Sequence, residues 1–188
     1  RTMSTDLNKT AVTQYPIHPL LPERWSPRAF SDRPIHADVL GSLLEAARWS
    51  PSSSNEQPWR FVLIHREDEA AHSRMVETLS GNNRLWAPRA PLLMVGVASM
   101  LRSSSGRPNA HAWYDLGQSV AHLSVQATAA GLYLHQMGGF DREAARVVLE
   151  IPENYEPVVV IAVGYMGDVA DLPEELQARE RNPRSRRP

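Results

Sequence analysis

Two short stretches carry the residue types from which a site for a planar, polar molecule could be built. The first is Arg24-Trp25-Ser26-Pro27-Arg28. Alternation in an extended segment puts Arg24, Ser26 and Arg28 on one side, where two guanidinium groups and a hydroxyl would suit a phosphate or a carboxylate. The second is Pro51-Ser52-Ser53-Ser54-Asn55-Glu56-Gln57-Pro58-Trp59. There Asn55 and Gln57 supply fixed donor and acceptor patterns, and the three serines supply hydroxyls and close backbone approach. Taken singly, each stretch also reads as an ordinary solvated loop, the second with a turn at each proline.

Other chemistries are excluded or disfavoured by what the chain lacks. It has no Cys, so thiolate metal sites, disulfides and a cysteine nucleophile are absent. Of its twenty Lys and Arg residues only Lys9 is a lysine, which removes a P-loop and argues against a Schiff base, and leaves arginine to hold any bound anion. Ser52 to Ser54 have no Gly-x-Ser-x-Gly elbow around them. His111, Asp115 and His122 share one face of a helix, but eleven residues span about 16 Å of its axis, too far for one ion. The plainer assignment makes Asp115 an anchor for a neighbouring backbone segment and the two histidines polar contacts at a helix interface, with no metal. Five tryptophans at irregular spacing, a net charge of −1 and no basic stripe speak against nucleic acid. The apolar runs at residues 91–98 and 157–163 are too short to cross a bilayer, so a soluble, cytoplasmic protein is expected, without membrane contact.

These residues need elements to position them. A chain of 188 residues fits one domain, here residues 23–188, preceded by an irregular arm over residues 1–22 that Pro16, Pro19 and Pro22 keep extended. Apolar spacing predicts a helix over residues 37–49, stopped by Pro51, and a strand over 59–64. A helix follows over 68–80, closed by Gly81, and then a buried strand over 92–98. Residues 102–109 have the composition of a flexible loop. The longest helical pattern covers 110–130, ends at Gly131, and is apolar round much of its circumference, as expected of a central helix. A short helix over 141–150 and a strand over 157–164 complete the pattern. The last ten residues hold five Arg, one Glu and no apolar side chain, so they must be disordered or lie on something else.

Order, spacing and residue type together make Arg24-x-Ser26-x-Arg28-x-Phe30, then Ala46-Ala47-Arg48, then Pro51-Ser52-Ser53-Ser54-Asn55-x-Gln57-Pro58-Trp59-x-Phe61 similar to the nitroreductase family of FMN-dependent oxidoreductases. Trp113-Tyr114-Asp115-Leu116-Gly117, Gly131-Leu132, Gly138-Gly139-Phe140, Val163-Gly164-Tyr165 and Arg179-x-Arg181-x-Pro183 extend the resemblance over residues 20–184. It implies an α+β fold with a mixed, mostly antiparallel sheet flanked by helices, in an intertwined homodimer with one FMN at each interface site.

By that resemblance Arg24, Arg179 and Arg181 would hold the FMN phosphate. Ser26 and Arg28 would lie at the pyrimidine end, where a cation stabilises the negative charge that develops on reduction, and Trp25 would be a further cofactor contact. Ser52, Ser53, Ser54 and Asn55 would line the ring and ribityl region, often from the partner subunit, and Pro51, Gln57 and Asn83 would add cofactor contacts. Gly138 and Gly139 would bring backbone close to flavin N5, with Met137 a further cofactor contact. The arginine tail would wrap onto the partner. The implied reaction is ping-pong hydride transfer from NAD(P)H through N5 to a nitroaromatic, a quinone or a similar acceptor, with no side chain acting as nucleophile. The same contacts would serve a flavin-sequestering protein, or a specialised relative that dismantles flavin or dehalogenates. Residues 102–109 match nothing in the family pattern and fall where its substrate lid varies, which leaves the acceptor open, as is the choice between NADH and NADPH.

Overall fold

In the computed structural model, which describes residues 7–187, four strands form one sheet. They are β1 (Trp59–His65), β2 (Leu92–Ser99), β3 (Tyr133–Met137) and β4 (Tyr155–Gly164), ordered β1-β2-β4-β3, and each pairing is antiparallel. The expected mostly antiparallel sheet is thus present, with no parallel pair among the described residues. β2 is buried from Leu92 to Ala98 because both of its faces are covered, which is why it reads as an unbroken apolar run.

One face of the sheet carries α2 (Ala37–Arg48) and α5 (Ala112–Ala129). Leu40 and Leu43 of α2 and Leu116 and Leu123 of α5 bury against Met94 and Ile161. Ser119 Oγ donates to the Ala47 carbonyl at 3.0 Å, so the two helices meet through a small polar side chain. On the other face lie α3 (Glu69–Thr78), α4 (Asn83–Trp86), α6 (Arg142–Val148) and α7 (Glu174–Arg181), whose Met75, Trp86, Ala145 and Leu176 pack on Val95 and Val160. A single turn, α1 (Leu20–Glu23), interrupts the N-terminal arm that was expected to be irregular.

The strongly periodic elements lie within two residues of their expected bounds. Gly131 (φ +73°) ends α5 as foreseen, with the Leu132 N–H returning to the Ala127 carbonyl. Gly81 does not close α3: the helix stops at Thr78, Leu79 turns extended to bridge Phe140, and Gly81 (φ +57°) belongs to the following turn. β3 was not anticipated, since it is five residues long and pairs with one neighbour only. α7 answers where the arginine-rich end goes: Arg179 and Arg181 occupy the last turn of a helix that fully buried Leu176 anchors. Among the described residues no helix is long and apolar enough to cross a membrane.

Candidate functional site

β3 is the edge strand on which the first motif lies. His135 Nδ1 is 2.8 Å from the Pro27 carbonyl, and Trp25 meets Tyr133 edge-on with ring centroids 6.0 Å apart. Trp86 of α4 packs 4.3 Å from the His135 ring and 6.1 Å from Phe30. Burial pushes the His135 pKa down to about 4, so at neutral pH the imidazole is uncharged and its Nδ1–H donates to Pro27. That bond joins residues 108 apart in sequence and fixes the Trp25–Arg28 stretch along the strand.

Met137, the last residue of β3, is buried, and the next two residues are glycines of different kinds. The Gly139 carbonyl accepts the Ser80 N–H at 3.0 Å and the Asn83 Nδ2–H at 3.1 Å. A β-carbon at Gly139 would stand 3.0 Å from Ser80 Oγ and 3.1 Å from Asn83 Nδ2. At Gly138 it would meet nothing within 4 Å, so this backbone borders open space. Trp86, touching His135 from the same short helix as Asn83, links this corner to the first motif.

Cations crowd the neighbouring cleft of about 550 Å³, which Arg24, Arg184, Arg186 and Arg187 line together with Leu21 and Pro22. Arg24 Nη1 donates to Ser26 Oγ at 3.4 Å, and Arg184 Nη1 donates to the Lys9 and Pro22 carbonyls, each at 2.6 Å. Burial lowers the pKa of Arg24 and of Arg184, and Arg186 lowers both further by repulsion. Lys9 lies in the arm expected to be irregular, yet it is 8% exposed and donates to the Asn182 carbonyl at 2.6 Å. Partly buried like charges of this kind favour an anion.

Arg28 stands apart from that surplus because Glu180 faces it. Glu180 Oε1 accepts the Arg28 N–H at 2.6 Å and the Ala29 N–H at 3.2 Å, while Oε2 lies 3.3 Å from Arg28 Nη1. Arg179 and Arg181 do not join the cluster: both are exposed, and Arg181 turns to Gln177 at 3.4 Å. The structure sets Arg184 and Arg186 beside Arg24 instead. Within its own chain, Glu180 and Arg184 of the C-terminal segment satisfy backbone groups at Arg28, Lys9 and Pro22.

The serine loop lies elsewhere. Asp115 Oδ2 accepts the Ser53 N–H at 3.1 Å, so Asp115 is the backbone anchor expected of it. Ser52 Oγ accepts the Gln57 N–H at 3.0 Å, and Gln57 Nε2 donates to the Asn55 carbonyl at 3.0 Å. Ser54, Asn55 and Gln57 hold φ of +54°, +55° and +47°, three left-handed residues about a right-handed Glu56, a conformation that persists only where surroundings impose it. The Glu56 carboxylate accepts from Ser103 N and Oγ, both at 2.8 Å, and from Ser104 Oγ at 3.3 Å, which holds its pKa below the usual range. Residues 102–109, expected to be flexible, are therefore fastened to this loop. Among the described residues no cluster of His, Asp and Glu has the arrangement of a metal site.

Within one chain the two halves do not meet. The serine loop enters β1 at one edge of the sheet, whereas Trp25–Arg28 and Gly138–Gly139 border β3 at the other. Three inter-strand steps separate those edges by about 14 Å. Sequence reasoning passed over Glu180, His135, Arg184 and Arg186. Glu180 had one signal, being the single acid in a run of five arginines.

A family model described as the nitroreductase family matches residues 21–165. A protein of Archaeoglobus fulgidus named "Putative NADH dehydrogenase/NAD(P)H nitroreductase" is 30% identical over 155 residues, covering 80% of this chain and 86% of that one. A crystal structure described as an oxidoreductase containing FMN is similar with a TM-score of 0.86 and 34% identity, covering 94% of this chain and 91% of that one. An iodotyrosine deiodinase of Haliscomenobacter hydrossis is 24% identical over 179 residues, with 82% and 80% covered.

Proposed function

The chain belongs to the nitroreductase family, and from that premise we propose that it is an FMN-dependent oxidoreductase that takes electrons from NAD(P)H and passes them to nitroaromatics, quinones or similarly electron-poor acceptors. One observation carries the reading: Arg24, Ser26, Arg28, Asn83, Gly138 and Gly139 gather along a single strand edge, with a cleft of surplus positive charge beside them. The residues fit the group. Guanidinium donors suit its phosphate, and the open backbone at Gly138 suits a flat ring that must come close. When bound, FMN supplies the two-electron chemistry, donor and acceptor taking turns at one place.

The chain's own residues bind and orient. Arg24, with Arg184 and Arg186, holds the phosphate, and Trp25, Ser26 and Arg28 hold the pyrimidine end. Met137, Gly138 and Gly139 bring backbone to the centre of the ring, with Asn83 fixed beside them. Pro51, Ser52, Ser53, Ser54, Asn55 and Gln57 close the site from a second copy of the chain, since within one chain they enter β1 at the sheet edge opposite β3, about 14 Å away. Trp49 and Tyr114, 72% and 69% exposed at the end of α2 and the start of α5, offer apolar surface for that copy to cover. Arg179 and Arg181 stand exposed on α7, free to reach across the same interface.

The test is direct. Purified protein should be a dimer, bind FMN, and oxidise NAD(P)H when a quinone or nitroaromatic is added. A likeness to the deiodinase favours a second reading, reductive dehalogenation at the same site. Iodide release from iodotyrosine without quinone turnover would select it.

A further inference from the structure

We infer that Glu180 is a positioning residue that sets how much positive charge Arg28 presents to bound FMN, an inference that rests on the flavin reading above. Glu180 is 1% exposed, and its carboxylate spends both oxygens on the first motif: two backbone N–H groups and the guanidinium of Arg28. Lys9 and Arg28 are the charges that face it. A buried carboxylate is tolerated only when paired and hydrogen-bonded, so this one is committed to that place.

The commitment has two separable parts. As an acceptor, Glu180 holds the Arg28–Ala29 backbone against α7, 151 to 152 residues away in sequence. As a charge, it offsets the one cation of the first motif proposed for the pyrimidine end, while Arg24 keeps an arginine neighbour. The ring would therefore meet a neutralised pair, whereas the phosphate would meet uncompensated guanidinium groups. Such an arrangement binds the anionic tail tightly without over-stabilising the negative charge that reduction places on the ring, and so keeps the reduced cofactor a competent donor.

Glutamine separates the parts, since its carbonyl still accepts the backbone N–H groups but carries no charge. Glu180→Gln should bind FMN and favour its reduced over its oxidised form about tenfold more than the wild type does, read as a midpoint potential about 30 mV more positive. Arg28→Gln should move the potential the other way, and the double variant, which removes both members of a neutral pair, should return to the wild-type value. Glu180→Ala, which also strips the acceptor, should weaken FMN binding at least tenfold by equilibrium titration. An unchanged potential in Glu180→Gln, or a double variant that matches Arg28→Gln, overturns the assignment. If the single variant does not fold, the comparison of the double variant with Arg28→Gln decides alone. Wild-type protein that binds no FMN would overturn the flavin reading and this inference together, whereas FMN binding with an unmoved potential overturns the inference only.

Discussion

Asp115 Oδ2 accepts the Ser53 N–H at 3.1 Å, tying the first turn of α5 to a serine loop 62 residues earlier. Asp115 is 2% exposed, and with the Glu56 contacts to Ser103 and Ser104 it holds a loop with three left-handed residues to the body of the protein. Asp115→Ala should cost about 1.5–3 kcal/mol of stability, the range for losing a hydrogen bond to a carboxylate, and should loosen FMN binding. Asp115→Asn, which keeps an acceptor, should lose less. Urea unfolding paired with FMN titration checks both.

Gly138 and Gly139 should respond differently to one added methyl. Gly139→Ala crowds Ser80 and Asn83, so it should lower stability by about 1–3 kcal/mol as well as weaken FMN. Gly138→Ala meets nothing in the chain, so its melting temperature should stay near the wild type while FMN affinity falls. Equal melting and equal binding in the Gly138 variant would remove that backbone from the site.

The cationic cleft makes a ranking among arginines. Arg24→Ala and Arg186→Ala should each weaken FMN retention about tenfold, as expected for loss of a charge-assisted bond to phosphate. Raising the salt concentration should shrink the difference. Arg181→Ala, on the exposed side of α7, should stay within about twofold of wild type unless a second copy uses it. Affinities measured above and below the dimer dissociation concentration separate those cases.

His135 gives a pH dependence with a definite sign. Its pKa falls from 6.5 in the unfolded chain to about 4 in the folded one because burial disfavours the imidazolium. Between those values the unfolded state binds more protons, so stability rises with pH. The unfolding free energy should be level well above pH 6.5 and fall by about 3 kcal/mol as the pH drops to 4. His135→Gln should abolish that portion of the curve, and urea titrations at pH 4.5, 5.5 and 7 measure it.

Legibility followed the range of the interactions involved. α2 and α5 could be read because their apolar spacing repeats over several turns, and β2 because it is buried on both faces. The motifs at Arg24 to Arg28 and Pro51 to Trp59 could be read because their residues are adjacent in sequence. β3 could not, because five residues with one pairing partner take their shape from β4. Glu180 and His135 were missed for the same reason: their partners lie 152 and 108 residues away. Local composition does not encode which acid finds which backbone N–H.

The most direct test is to titrate FMN into purified apoprotein while sedimentation measures its mass. The account predicts saturable binding of one FMN per chain, with a species of twice the chain mass. A protein that stays monomeric and shows no saturable FMN binding would contradict it.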